Sequence, residues 1–306
     1  MSIARARTVR GALRIAPSGL ARWQASQDWL LLSPALVFLA VFKLIPVAAV
    51  AYLALTRWRI LGSPRFVGLE NFHAMWQDPV FLTAFKNTLY YVAVIVPSLT
   101  AGSLGVALLT EALGRGRHLF RLTYFLPIVV PFSLIATMWK SAIYSPFGLV
   151  NQLLVASGLE RVNFLGAEHA RLSISVVIVW AQVGLFSLMF SAGLKAIPEE
   201  VREAAAIDGA SGWVRFWRIT LPLLNPTLLL VVIVSTVAAF RAFDVVHVLT
   251  GGGPSYASTS LLVYVYEVGW KRFQMGYAAA LALVFCAVAV TLNLLQRLAL
   301  GESKHE

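Results

Sequence analysis

The chain has 306 residues, of which 59% are hydrophobic and only 13% charged. So apolar a composition leaves too few water-compatible side chains to coat one soluble domain, and it places the chain in a membrane. The formal net charge of +11 comes without clustered basic residues among aromatics, which excludes a nucleic-acid patch and leaves topology signal and lipid-headgroup contact as its reading.

Met1 to Gln27 carries Arg5, Arg7, Arg10, Arg14 and Arg22 and no acidic residue. The apolar run that comes next is too long for a signal-peptide core and no small-residue cleavage site closes it, so the pattern predicts a basic cytoplasmic arm over 1–27 and an uncleaved anchor. Apolar segments near 28–55, 87–112, 119–142, 171–194, 219–241 and 276–297 each approach the roughly 20 residues needed to cross hydrocarbon. The expectation is an all-α membrane protein with a six-span domain over 28–297 and a cytoplasmic tail over 298–306. Pro127, Pro131, Pro222 and Pro226 break or kink the third and fifth spans, and Pro97, Pro127 and Pro131 inside the spans mark either hinges or kinked packing helices. Lys43, alone in the first span, reads as a side chain snorkelling toward an interface. Cys286 is the single cysteine and sits in an apolar run, so no disulfide framework or thiolate metal cluster is available.

Lysine and arginine set the orientation. The stretch Gly114 to Arg121, GRGRHLFR, is basic and too brief to fold, and together with the N-terminal arm it predicts both termini and the loop 195–218 in the cytoplasm. That loop has its own folding signals. Pro198 suits a first helical position, Glu199 and Glu200 oppose the positive helix end, and Ala204, Ala205 and Ala206 favour continuation. Asp208 and Gly209 stop the helix. A second one begins near Ser211, with Trp213, Phe216 and Trp217 at helical spacing and Arg215 and Arg218 between them, a pattern that suits a membrane surface.

Within the loop, Glu203-Ala204-Ala205 is followed after three residues by Gly209, after nine more by Ile219 and after one more by Leu221-Pro222. This resembles the EAA motif of permease subunits of bacterial ATP-binding-cassette importers. Arg65 to Phe72, RFVGLENF, and Phe243 to Pro254, FDVVHVLTGGGP, are similar to elements of the sugar-type branch of that family. Phe147 to Asn151, Asn163 to Gly166 and Trp180 to Gly184 fit the same branch. The resemblance covers roughly residues 30–297. It implies a type I importer permease in the bacterial cytoplasmic membrane that carries a sugar, oligosaccharide or glycerol-3-phosphate-like solute by alternating access. Its partners would be a second related permease, two ATPase subunits and an extracytoplasmic solute-binding protein. The EAA helix-turn-helix would dock on an ATPase, with Glu203 bonding in the groove, Ala204 and Ala205 allowing close approach, and Asp208 and Gly209 forming the turn.

For such a solute the path needs hydrogen-bonding side chains and aromatic faces, and the candidates are Trp180, Gln182, Ser187, Ser235, Thr236 and Phe240. The alternative, that the serines and threonine hold helices together, stands beside it. Arg241 and Asp244, three apart, are placed to pair at the outer mouth. No G-x-x-x-x-G-K-[ST] stretch occurs, so ATP hydrolysis belongs to another subunit. The histidines lack metal-ligand spacing and no nucleophile turn is recognisable, so neither metal, cofactor nor catalytic residue is expected. An amino-acid or peptide permease of the same family, an ion-coupled secondary transporter and a membrane scaffold are the rival readings. The first would lack LTGGGP and FVGLENF, and the second would carry an intramembrane carboxylate and internal repeats.

Overall fold

The computed structural model describes residues 31–113 and 116–301. The arm 1–27, Gly114 and Arg115 of the basic loop, and residues 302–306 lie outside them. The described chain forms two units, one ending at Tyr52 and one beginning at Leu53. Residues 31–52 of the first belong to helix α1 (Leu31–Ala54), which takes a π turn at Ala40–Leu44 around Lys43.

The second unit opens on a two-stranded antiparallel ribbon, β1 (Thr56–Arg57) with β2 (Arg65–Phe66). Helix α2 (Glu70–Trp76) comes next, then α3 (Pro79–Ala112). Asp78 Oδ1 accepts a hydrogen bond from the Val80 N–H at 2.9 Å and Pro79 fills the first turn, so α3 starts well before the expected 87. Lys86, which lies just before the span expected from sequence, is a helix residue. The helix runs on through Pro97.

Beyond α3 lie α4 (Arg117–Val129) and α5 (Phe132–Ile143), bent by 101° where they meet. Val130 is extended, with φ −89° and ψ 132°, because the ring of Pro131 crowds the helical conformation of its predecessor. Helix α6 (Leu149–Ala156) leads to α7 (Ala170–Ala196), and α8 (Glu199–Ile207) to α9 (Gly212–Leu223). Helix α10 (Asn225–Phe240) departs from α9 by 68°. Pro226 lies in its first turn and has no N–H with which to continue the α9 ladder. The chain ends through α11 (Phe243–Leu249), α12 (Leu261–Tyr266) and α13 (Met275–Gly301). By length and composition α1, α3, α7 and α13 can each cross a membrane. The described residues therefore hold four candidate spans, or up to six if each bent pair is one span.

Helices α3, α7, α10 and α11 share a core that includes Tyr91, Leu99, Ile178, Phe186, Val231 and Val246. A second cluster, with Met75, Phe81, Tyr264, Val268 and Leu281, joins α2, α3, α12 and α13. Lipid is as apolar as leucine, so close approach replaces water exclusion as the packing force. A Cβ on Gly184 of α7 would meet Tyr124 O of α4 at 2.3 Å, and one on Gly276 of α13 would meet Thr56 O at 1.9 Å.

The sequence motifs outside the spans act as staples. Asn71 of RFVGLENF donates from Nδ2 to Ala54 O at 2.8 Å and Thr56 O at 2.9 Å, and Glu70 pairs with Arg57. Buried Asn151 donates to Ser145 O and Val162 O at 3.1 Å each and accepts from the Val162 N–H at 2.8 Å. The glycine-rich segment before α12 is sewn to α3. Asn87 Nδ2 faces Tyr256 O, Ala257 O and Thr259 O at 3.2, 3.1 and 3.1 Å, and Tyr91 OH donates to Ser258 O at 2.7 Å.

Asp78 ties three helices together, since its Oδ2 accepts from Tyr264 OH and, at 2.8 Å, from Tyr277 OH. Burial pushes its carboxyl up, but the two tyrosines and the Val80 and Phe81 N–H groups outweigh burial and hold it below its ordinary range. A depressed pKa means the stabilisation is complete above the unfolded aspartate value and is lost as pH falls through the folded one. Asp78→Asn is expected to destabilise the detergent-purified protein by about 1 kcal/mol, less than a fully buried charge-assisted bond because the residue is partly exposed. It should also remove part of the acid-side loss of stability, as thermal unfolding between pH 3 and pH 7 would show.

Candidate functional site

The segment between α7 and α10 folds as a helix-turn-helix. Glu199 and Glu200 occupy the first turn of α8, and the helix closes by a Schellman arrangement in which the Ala210 N–H donates to Ala205 O at 3.0 Å and the Gly209 N–H to Ala206 O at 3.1 Å. Gly209 takes φ +72°, which a side chain resists, although a Cβ there would have nothing within 4 Å. Ser211 then caps α9, its hydroxyl accepting from the Val214 N–H. Ala205 is buried, whereas Glu203, Ala204, Asp208 and Gly209 are exposed. Ile207 is 86% exposed and Trp213 73%, an apolar surface beside charge of the kind that meets a partner or a lipid headgroup layer.

Charged side chains tie this segment to the spans. Arg202 donates to Leu194 O of α7 and lies 3.5 Å from Glu199. Glu111, one residue from the end of α3, has Lys195 at 3.6 Å and Arg121 at 3.8 Å. Between them is a cavity of about 470 Å³ lined by Glu111, Lys195, Arg202, Glu203 and Arg215, among others. The ends of α3 and α7 and the start of α8 therefore meet at one charged junction.

A second cavity, of about 290 Å³, lies toward the other end of α10, between α5, α7, α10 and α11. Gln182 of α7 and Phe132 of α5 line it, with Val234, Val237, Arg241 and Asp244. Of the six path candidates, Gln182 alone borders this space. Ser187 is fully buried and donates to Gly184 O at 2.7 Å, and Ser235 donates to Val232 O at 3.1 Å. The Thr236 hydroxyl lies 2.8 Å from Val232 O and accepts from Gln296 Nε2 at 2.8 Å, joining α10 to α13. Phe240 is buried edge-on against Phe285, and Trp180 meets Trp139 of α5 with centroids 5.4 Å apart. In this structure the serines and Thr236 are thus satisfied within the helix packing, because an α-helix offers each hydroxyl a carbonyl three or four residues back.

Arg241 and Asp244 differ from their sequence expectation. Both line the cavity, and among the described residues no ion pair joins them. The chain turns between them from α10 into α11, so a spacing of three does not here mean one helix face. Charged residues directly after an apolar span were the available signal for a cavity rim.

Residues 102–299 match the family described as the binding-protein-dependent transport system inner membrane component. The chain is 36% identical over 275 residues to a probable ABC transporter permease protein of Bacillus subtilis, covering 88% of this chain and 94% of the relative. It is 35% identical over 246 residues to the trehalose/maltose transport system permease protein of Thermococcus litoralis, covering 80% of this chain and 83% of the relative. Among solved structures, that of a bacterial ABC transporter involved in the import of the acidic polysaccharide alginate shares the fold, with a TM-score of 0.81 at 23% identity over 93% of this chain and 99% of that one. The family match runs from within α3 through α13 and takes in the helix-turn-helix and both cavities, and with these relatives it means that the chain belongs to the binding-protein-dependent transport system inner membrane components, the non-catalytic permeases of ABC transporters.

Proposed function

We propose that the chain is one of two related permease subunits of an ATP-driven importer that carries a carbohydrate across the bacterial cytoplasmic membrane. It crosses the membrane six times, each bent helix pair counting as one span, with both termini in the cytoplasm. Two ATPase subunits dock on the cytoplasmic face and an extracytoplasmic binding protein delivers the solute. The observation that carries this reading is the exposed helix-turn-helix, with Glu203 and Asp208 on its surface and apolar Ile207 and Trp213 uncovered beside them. The trehalose/maltose relative and the sequence elements RFVGLENF and LTGGGP support the carbohydrate class.

In the proposed cycle, ATP closes the ATPase dimer and moves α8. Arg202 at Leu194 O and the Glu111, Arg121 and Lys195 junction pass that displacement to α7, α3 and α4, and the spans reopen outward. Exposed Ala204 lets the ATPase surface approach, buried Ala205 lets α8 lie close to the rest of the chain, and the turn at Asp208 and Gly209 sets the angle between α8 and α9. Gln182 lines the path; Trp180, Ser187, Ser235, Thr236 and Phe240 hold its walls in register. The tagged chain, solubilised in mild detergent from its own host, is expected to bring down an ATPase and a second permease. Glu203→Lys should lose the ATPase and keep the permease. Retention of the ATPase by the lysine variant would contradict the docking role, and recovery of the chain with neither partner would contradict the importer assembly.

A further inference from the structure

A third cavity, of about 340 Å³, adjoins the one that reaches Gln182, and the two share Arg241 and Asp244 in their walls. Its other walls include Phe243, Tyr266 and Trp270. Phe243 stacks on His247 with centroids 5.3 Å apart and ring planes 8° from parallel, and Tyr266 meets both rings at 5.3 Å. The aromatic wall is therefore braced, while Trp270 stands 60% exposed. Arg241 and Asp244 are exposed too, and among the described residues neither side chain has a hydrogen bond, ion pair or ring contact. The pair sits just past α10, whose 16 residues carry it about 24 Å from the helix-turn-helix end.

We propose that Arg241, Asp244 and Trp270 form an entry subsite for one ring of a neutral carbohydrate, passed through before the solute reaches Gln182. The inference rests on the carbohydrate reading above and adds a subsite and a charge class to it. A pyranose ring offers an apolar C–H face, which packs on an indole, and an edge of adjacent hydroxyls, which donate to a carboxylate and accept from a guanidinium. Opposite charges in the lining of one cavity suit that hydroxyl edge. They disfavour a phosphate, sulfonate or uronate, because Asp244 repels an anion at the place where Arg241 attracts it. Leu262 and Val265 add aliphatic lining, so the cavity combines apolar and aromatic walls with two charged side chains.

The test uses the whole transporter in ATP-loaded proteoliposomes with labelled maltose, trehalose and lactose as neutral probes and sn-glycerol-3-phosphate and alginate oligosaccharide as acidic ones. The unaltered transporter is expected to take up a neutral probe. Arg241→Gln and Asp244→Asn should each raise its KM about tenfold, the loss of one charge-assisted hydrogen bond, with Vmax within about twofold. Trp270→Ala should do the same and Trp270→Phe should recover most of the loss. Immunoblotting of the vesicles normalises uptake to inserted protein, and Asp244→Glu gives a second variant that keeps the charge. An unchanged KM in the arginine and aspartate variants overturns the subsite and leaves the carbohydrate importer standing. So does uptake of acidic probes alone, improved by Asp244→Asn. Uptake of none of the probes, with ATP still hydrolysed, overturns the carbohydrate reading together with the subsite.

Discussion

Gly209→Val is expected to cut ATP-driven uptake by about tenfold while leaving the amount of protein in the membrane unchanged. The reason lies in the backbone. Gly209 is at φ +72° with open space around its Cβ position, so a larger side chain collides with nothing and strain in the left-handed conformation is the whole effect. For a β-branched residue that strain is roughly 1–2 kcal/mol, enough to lower the population of the native turn about 5- to 30-fold. The spans are not involved, and insertion should proceed as before. Gly212→Ala is the matched control, because Gly212 also has open space but no positive φ. Uptake and ATP hydrolysis measured in the same vesicles separate the cases. Hydrolysis with little uptake means the angle between α8 and α9 transmits the stroke, and full uptake by the valine variant would remove that role.

Gly276→Ala should be the most damaging glycine-to-alanine change among the described residues. Its Cβ would lie 1.9 Å from Thr56 O and 3.1 Å from Trp58 N, both backbone atoms that no rotamer change can move aside. The Gly276 N–H donates to Trp58 O, so the start of α13 and the ribbon strand β1 are already in direct backbone contact. Separating them costs at least the 1–3 kcal/mol typical of overpacking, and the lost hydrogen bond adds about 1 kcal/mol. Folded yield and the apparent Tm in detergent should both fall. Gly105→Ala in α3 has nothing within 4 Å of its Cβ and should stabilise slightly, by about 0.5–1 kcal/mol, through helix propensity. Equal behaviour of the two variants would contradict the close contact at Gly276.

Hydrophobic runs and prolines carried most of the architecture. Val130-Pro131 and the Pro222 to Pro226 stretch lie at the two bends, because a ring that crowds its predecessor and lacks an N–H acts locally. The helix that stops before Gly209 was legible because its signals are local too. The start of α3 was missed because hydropathy counts Lys86 against a span, whereas Asp78-Pro79 caps the helix whether its next residues are apolar or charged. Long-range pairing left no trace in local pattern. Asn87 holds the carbonyl of a residue 172 positions later, which no spacing rule anticipates. The polar candidates in the spans divided for a physical reason as well. Ser187, Ser235 and Thr236 find acceptors on their own helices, while among the described residues the Gln182 side chain has no such bond and lines open space.

The most direct test of the account is the energy source of uptake. In proteoliposomes holding this chain with its partner permease, ATPases and binding protein, labelled carbohydrate should accumulate only when ATP is present on the ATPase side, and imposed proton or sodium gradients should change nothing. Accumulation driven by an ion gradient in vesicles holding this chain alone, without ATP, would contradict the account and make the protein a secondary carrier.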